Sequence, residues 1–171
     1  MLIKIACTIL VVLLSACSRT ENGLVFGKPA YEERDIAVSG VDIEILLQTQ
    51  SLLSSKQAWS KDGQRKCSGL PPYSLYCALE TASKTVDGKY IHRRPALQEV
   101  RFTIDDQYKN RWKIHRLADF NSHPDTTYDD VMQVLRLTIE HVQQKIRDSD
   151  AIHNASSAST NQNGSKGLGV C

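Results

Sequence analysis

The stretch EVRFTIDDQYKNRWKIHRL, residues 99–117, decides the fold class read from this sequence. Val100, Phe102 and Ile104 alternate with Arg101 and Thr103, and Trp112 and Ile114 alternate with Lys113 and His115. Each limb therefore carries the two-residue period of a half-buried strand. The polar segment 105–110 between the limbs supplies a turn, and together they predict an antiparallel hairpin. Its outward side chains make one side wet and basic, so Arg101, Lys113 and His115 form the candidate partner-binding surface.

Downstream, 118–125 reads as a loop leading into the strongest helix of the chain. Thr126 can cap it, with Asp129 three residues on as in a capping box, and Asp129-Asp130 complement the positive helix end. Tyr128, Val131, Val134, Leu135, Ile139, Val142 and Ile146 recur at helical spacing, while Gln133, Arg136, Glu140, Gln143 and Arg147 fill the opposite face. Upstream, Val41, Ile43, Ile45 and Leu47 suggest a strand over 36–47. Residues 48–60 read as a short helix or an irregular crossing, 61–72 as a loop and 86–89 as a turn; in 73–85 Leu75, Cys77 and Leu79 alternate as in a strand while Leu75, Leu79 and Ala82 suit a helix, the reading favoured after Pro71-Pro72. Tyr90-Ile91-His92 is a candidate short strand. Strands followed by a long amphipathic helix predict a small two-layer α+β domain over 36–147, an antiparallel hairpin packed on a long C-terminal helix. The tail 148–171, rich in Asn, Ser, Ala, Gly and Gln, is expected to be disordered.

The N-terminus is an address. Lys4 gives a short positive region and 5–16 an apolar run, the proportions of a secretory signal. A membrane-spanning helix needs about 20 apolar residues, more than this run holds before it meets Ser18-Arg19-Thr20-Glu21. Leu14-Ser15-Ala16-Cys17 resembles the lipobox of bacterial lipoproteins. The resemblance implies cleavage of a signal peptide, 1–16, and a mature chain beginning at Cys17 with a diacylglyceryl group on its sulfur and an acyl chain on its amine. Two or more such chains anchor a protein stably, since each buried methylene contributes about 0.8 kcal/mol. Residues 17–35 would then be a lipid-anchored tether. In that family an aspartate after the cysteine favours the inner membrane; Ser18 stands there, which implies the inner leaflet of the outer membrane, facing the periplasm. The alternative is an ordinary signal cut after Ala16 that leaves Cys17 a plain thiol.

Cys67 and Cys77 bracket a loop dictated by Gly69, Pro71 and Pro72, and an exported chain meets an oxidising compartment, so a disulfide is the favoured reading over two reduced thiols or a metal pair. Cys7 goes with the signal, and Cys171 is left over in the tail.

The formal net charge of +2 excludes a strong field steering the whole chain to nucleic acid. No cofactor, small-molecule or metal motif appears. The five histidines form no tight ligand set, and the weak zinc candidate of His115, Asp119, His123 and Asp125 is better read as loop polarity. Asp105-Asp106 reads as turn chemistry rather than an acid-base pair. Arg93, Arg94, Arg101, Lys109, Arg111, Lys113 and Arg116 could form a patch for an acidic partner, although interspersed acids favour an ordinary solvated surface.

The words Leu117-Ala118-Asp119 and Tyr128-Asp129-Asp130-Val131-Met132-Gln133-Val134-Leu135 resemble the periplasmic domain of the ExbD/TolR proteins, without that family's membrane-spanning helix. The likeness implies an interaction module and no residue role. The functional expectation is therefore a non-enzymatic, membrane-anchored lipoprotein that binds an envelope protein partner as an accessory subunit. The alternatives are a lipoprotein immunity factor against a periplasmic toxin and a cell-wall or lipid hydrolase.

Overall fold

Asp42, Ile45, Leu46 and Thr49 lie at the spacing of one helical face, and all four are buried. The segment expected to be a strand is thus a helix, α1, Gly40–Leu52. The structure, a computed structural model, describes residues 33–162. The expected signal, Cys17, nearly all of the tether and Cys171 lie outside the described residues.

Among the described residues the architecture is all-helical. After α1 come a short 3-10 turn at Lys56–Ala58, α2 (Leu75–Asp87), α3 (Pro95–Tyr108), α4 (Arg116–Ser122) and α5 (Tyr128–Gln162). No strand occurs among them. The one β-type contact is an isolated bridge between Trp59 and Tyr73, with Ser60 N–H donating to the Tyr73 carbonyl and Tyr73 N–H to that of Ala58, both at 2.8 Å. The expected α+β class and its antiparallel hairpin are overturned.

The first limb of the expected hairpin lies within α3. Pro95 occupies its first turn, where a fixed φ suits a helix and the missing N–H is no loss. Ala96, Leu97, Val100 and Ile104 make its core stripe, while Gln98, Glu99, Arg101 and Phe102 are buried too. A helix covered on most sides loses the amphipathic contrast that betrays its period, and alternation in its second half imitates a strand. The second limb is a connecting loop and the start of α4. Ile114, expected to face the core, is exposed, and Lys113 is exposed as well. Asp105 and Asp106 sit in the last turns of α3, not in a turn between strands; they pair with Arg116 and Arg34.

Other expectations hold. The helix expected over 73–85 is α2, capped by Ser74, which accepts from the Cys77 N–H, and closed by Gly88 at φ 71° in the left-handed region. The loop 61–72 is irregular, and Cys67 and Cys77 are joined in a disulfide that ties it to the first turn of α2. The C-terminal helix is present with its expected stripe, but its capping box is one residue later. Thr127 and Asp130 exchange the reciprocal bonds, and α5 runs on to Gln162, beyond Arg147. The core packs α1 against α2 and α5, with α3 between α5 and α4. Tyr90-Ile91-His92 is a connection with no strand partner among the described residues.

Candidate functional site

The site forms where the connections 88–94 and 109–115 meet beside α3. Lys113, Ile114 and His115 all donate their backbone N–H to Asp119 Oδ2, at 3.0, 2.7 and 2.9 Å. One carboxylate oxygen from the first turn of α4 thus gathers three consecutive N–H groups and fixes the path of the loop. Burial works against the Asp119 charge, but the N–H donors of Ile114, His115 and Lys113 outweigh it and hold its carboxyl below the ordinary aspartate value. The loop presents Ile114 at its tip, 94% exposed.

His115 follows as the N-cap of α4. Its Nδ1 accepts from the Ala118 N–H at 3.2 Å, so the ring proton of the neutral form sits on Nε2. The ring meets Tyr76 edge-on at 5.5 Å and lies 5.9 Å from that of His92. His92 Nδ1 is 2.9 Å from the Tyr90 hydroxyl and its Nε2 is 3.3 Å from Arg101 Nη2. Since a guanidinium only donates, His92 accepts at Nε2 and carries its proton on Nδ1, toward Tyr90. Partial burial lowers the affinity of both histidines for a proton; Arg101 and Arg65 push each further in that direction. Burial, followed by the nearby Tyr76 hydroxyl, raises the Tyr90 phenol.

These groups bound a pocket of about 240 Å³. One side is His92, Arg93, Gln98 and Arg101; the other is Trp112, Ile114, His115 and Arg116. No aspartate or glutamate is among the described residues that line it. Arg101 is buried; it donates to the His92 carbonyl at 3.0 Å and to the Gln98 side-chain oxygen. Arg116 stacks over the Trp112 ring at 5.0 Å and pairs with Asp105 at 3.1 Å. The floor therefore carries cationic side chains, with the His92 carbonyl, the Gln98 side chain and Asp105 among the groups that hold them in place.

Of the residues singled out in the sequence, Arg101 and His115 meet in this pocket, though not as outward side chains of a sheet. Arg101 reaches it from the buried flank of a helix. Lys113 stands beside it on the loop. His92, Gln98 and Trp112 belong to it and were not singled out for it. The signal that links Gln98 to Arg101 is helical i, i+3 spacing, which a strand reading discards. The weak zinc set is not assembled: His123 ends α4, with Nδ1 accepting from the Asp125 N–H, and no cluster of three metal-ligating side chains occurs among the described residues. Two other hollows, of about 300 and 360 Å³, lie along the segment 34–38 where it meets α5; both contain Lys145 together with carboxylates.

A family model described as a family of unknown function, DUF6197, matches residues 40–141. The chain belongs to that family. The matched span begins with α1 and ends within α5, so the DUF6197 unit includes the whole pocket, its loop and the disulfide. No curated protein and no solved structure matches the chain.

Proposed function

We propose that this DUF6197 protein is a lipid-anchored envelope lipoprotein whose helical domain binds another protein, a non-enzymatic accessory subunit held by Cys17 at the inner leaflet of the outer membrane. The anchor is supported by the lipobox-like Leu14-Ser15-Ala16-Cys17. Binding is supported by one observation above the others: Ile114, 94% exposed, on a loop pinned by three bonds to Asp119 at the mouth of a cationic pocket. A scattered exposed isoleucine would carry no argument. This one is held out rigidly, so little conformational entropy remains to be lost on docking, and covering it contributes about 1.5 to 3 kcal/mol.

The test is a photoreactive amino acid placed at position 114 of the full chain in intact cells, with position 136, on the exposed side of α5, as the control. The reading expects a discrete protein adduct from 114 and none from 136. Absence of a protein adduct from 114, or equal adducts from both positions, would overturn it.

A further inference from the structure

We propose that His92 and His115 form an acid-released latch: protonation of the pair unseats the first turn of α4 and lets the loop carrying Ile114 part from the 88–94 connection, which switches partner binding off. The switching rests on the protein-binding reading above; the latch itself does not, and it can be read without a partner.

Each ring does its work as a hydrogen-bond acceptor. His115 Nδ1 takes the Ala118 N–H at 3.2 Å and so caps α4, while His92 Nε2 takes a guanidinium N–H of Arg101 at 3.3 Å. Arg101 has other partners too; what matters to His92 is this donation. An imidazolium has two N–H donors and no acceptor, so one proton on either ring abolishes its bond and sets two donors against each other. The rings stand on different connections, 5.9 Å apart, and their contact is part of what joins the two. Once both are charged, that contact becomes a repulsion. Ile114 immediately precedes His115 in the chain, so the display of the one is tied to the seating of the other.

The surroundings resist the proton for as long as the latch is closed. Burial weighs first against charge on both rings; Arg101 and Arg93 add to it at His92, and Arg65, from the 61–72 loop, with Arg101 at His115. Arg116 lines the same hollow from α4. Asp119 pulls the other way at His115, less strongly than either arginine, and its Oδ2 already takes three backbone N–H groups. From α2, Tyr76 meets the His115 ring edge-on. The Tyr90 hydroxyl, 2.9 Å from His92 Nδ1, is raised by burial, then by Tyr76, with a smaller push from Glu80, so it offers the ring no anion. Opened, both rings regain water and bind protons more readily. The latch is therefore closed above about pH 6.5 and opens as pH falls below it, by about tenfold for each unit by which closure lowers the pair's combined proton affinity.

The experiment has two arms, both on the full chain. In detergent, amide hydrogen exchange of residues 113–118 is compared at pH 7.5 and 5.0 after correction for the intrinsic rate, with the middle of α5 as internal reference. In intact cells, the photoreactive group at 114 is activated at the same two pH values. The latch predicts that protection of 113–118 falls about tenfold at pH 5.0 while α5 keeps its own, and that the protein adduct from 114 falls in parallel. His92→Gln combined with His115→Asn keeps an acceptor at both places and cannot be charged, so it should flatten both pH profiles whatever the level from which each starts. Protection of α5 reports whether that variant folds, and the wild-type exchange stands without it. Unchanged protection of 113–118, a loss shared equally by α5, or the same pH profile in the folded double variant overturns the latch and leaves protein binding standing. An adduct yield indifferent to pH while the loop opens overturns the switching. Absence of a protein adduct from 114 at pH 7.5 overturns the binding reading and the switching with it, and the exchange alone then decides the latch.

Discussion

Asn121 uses all of its amide. Its oxygen accepts from Trp59 Nε1 at 2.8 Å and from the Leu75 N–H at 3.0 Å, and its nitrogen donates to the carbonyls of Ser60 and Asp62, both at 2.9 Å. The side chain is fully buried, so it fastens the irregular loop to the start of α2 from within α4. Asn121→Leu removes these bonds and strands buried partners, and should lower unfolding free energy by about 2 to 4 kcal/mol in urea titrations; a loss under 1 kcal/mol would contradict this role. At the same scale, His92 and His115 both titrate below their usual 6.5 in the folded chain. Beyond burial, Arg101, Arg93 and Arg65 lower His92, and Arg65 and Arg101 lower His115, whose backbone hydrogen bond and Asp119 pull the other way. The unfolded chain therefore takes up these protons first as pH falls, and their contribution, complete above about pH 6.5, is lost progressively below it. Asp119 and Asp130, held below 3.8, lose theirs only in stronger acid. Unfolding midpoints should drop between pH 7.5 and 5.5, and His115→Asn, which keeps a capping side chain without the proton, should shrink that drop.

At the scale of elements, what was legible depended on whether burial followed hydropathy. The stripe of α5 is apolar on one side and polar on the other, and α2 is bracketed by Ser74 and Gly88, so both helices could be read from residues alone. In α1 the buried face includes Asp42 and Thr49, while Val41 and Leu47 lie outside. Asp42 is inside because it closes the capping box with Ser39, accepts from the Ala96 N–H at 3.1 Å and pairs with Arg94; Thr49 donates to the Ile45 carbonyl. Polar groups satisfied by tertiary partners are invisible to a hydropathy period, and the strand reading of α1 and α3 fails for that reason. The pocket was unreadable for the same cause, since its residues converge only when α3 is a helix. The start of α5 shows how narrow such choices are. Thr126 and Thr127 each precede an aspartate by three residues, and Thr127 caps while Thr126 Oγ1 is buried without a hydrogen-bond partner among the described residues. Thr127→Ala should cost about 1 kcal/mol. Thr126→Val, similar in shape, should be neutral or stabilising by thermal denaturation.

At the scale of the whole molecule, the described chain emerges from its N-terminal side directly onto α3 and α5. Lys145 donates to Glu99 at 2.7 Å, to the Arg34 carbonyl at 2.7 Å and to that of Ile36 at 3.4 Å, and Glu99, 2% exposed, also meets His141 at 3.5 Å. The segment arriving from the N-terminal side is thus clipped to the helical body through a buried ion pair. Lys145→Met leaves the Glu99 carboxylate buried with its principal partner gone and should destabilise by about 3 kcal/mol or more, whereas Glu99→Gln combined with Lys145→Met should recover part of that loss. Such a clip gives a tether something firm to pull on, and the proposed function needs that tether to end in lipid. Metabolic labelling with palmitate, comparing the full-length protein with its Cys17→Ala variant, measures this directly: label on the wild type and none on the variant is the predicted result, and equal label on both, or none on either, would contradict the account.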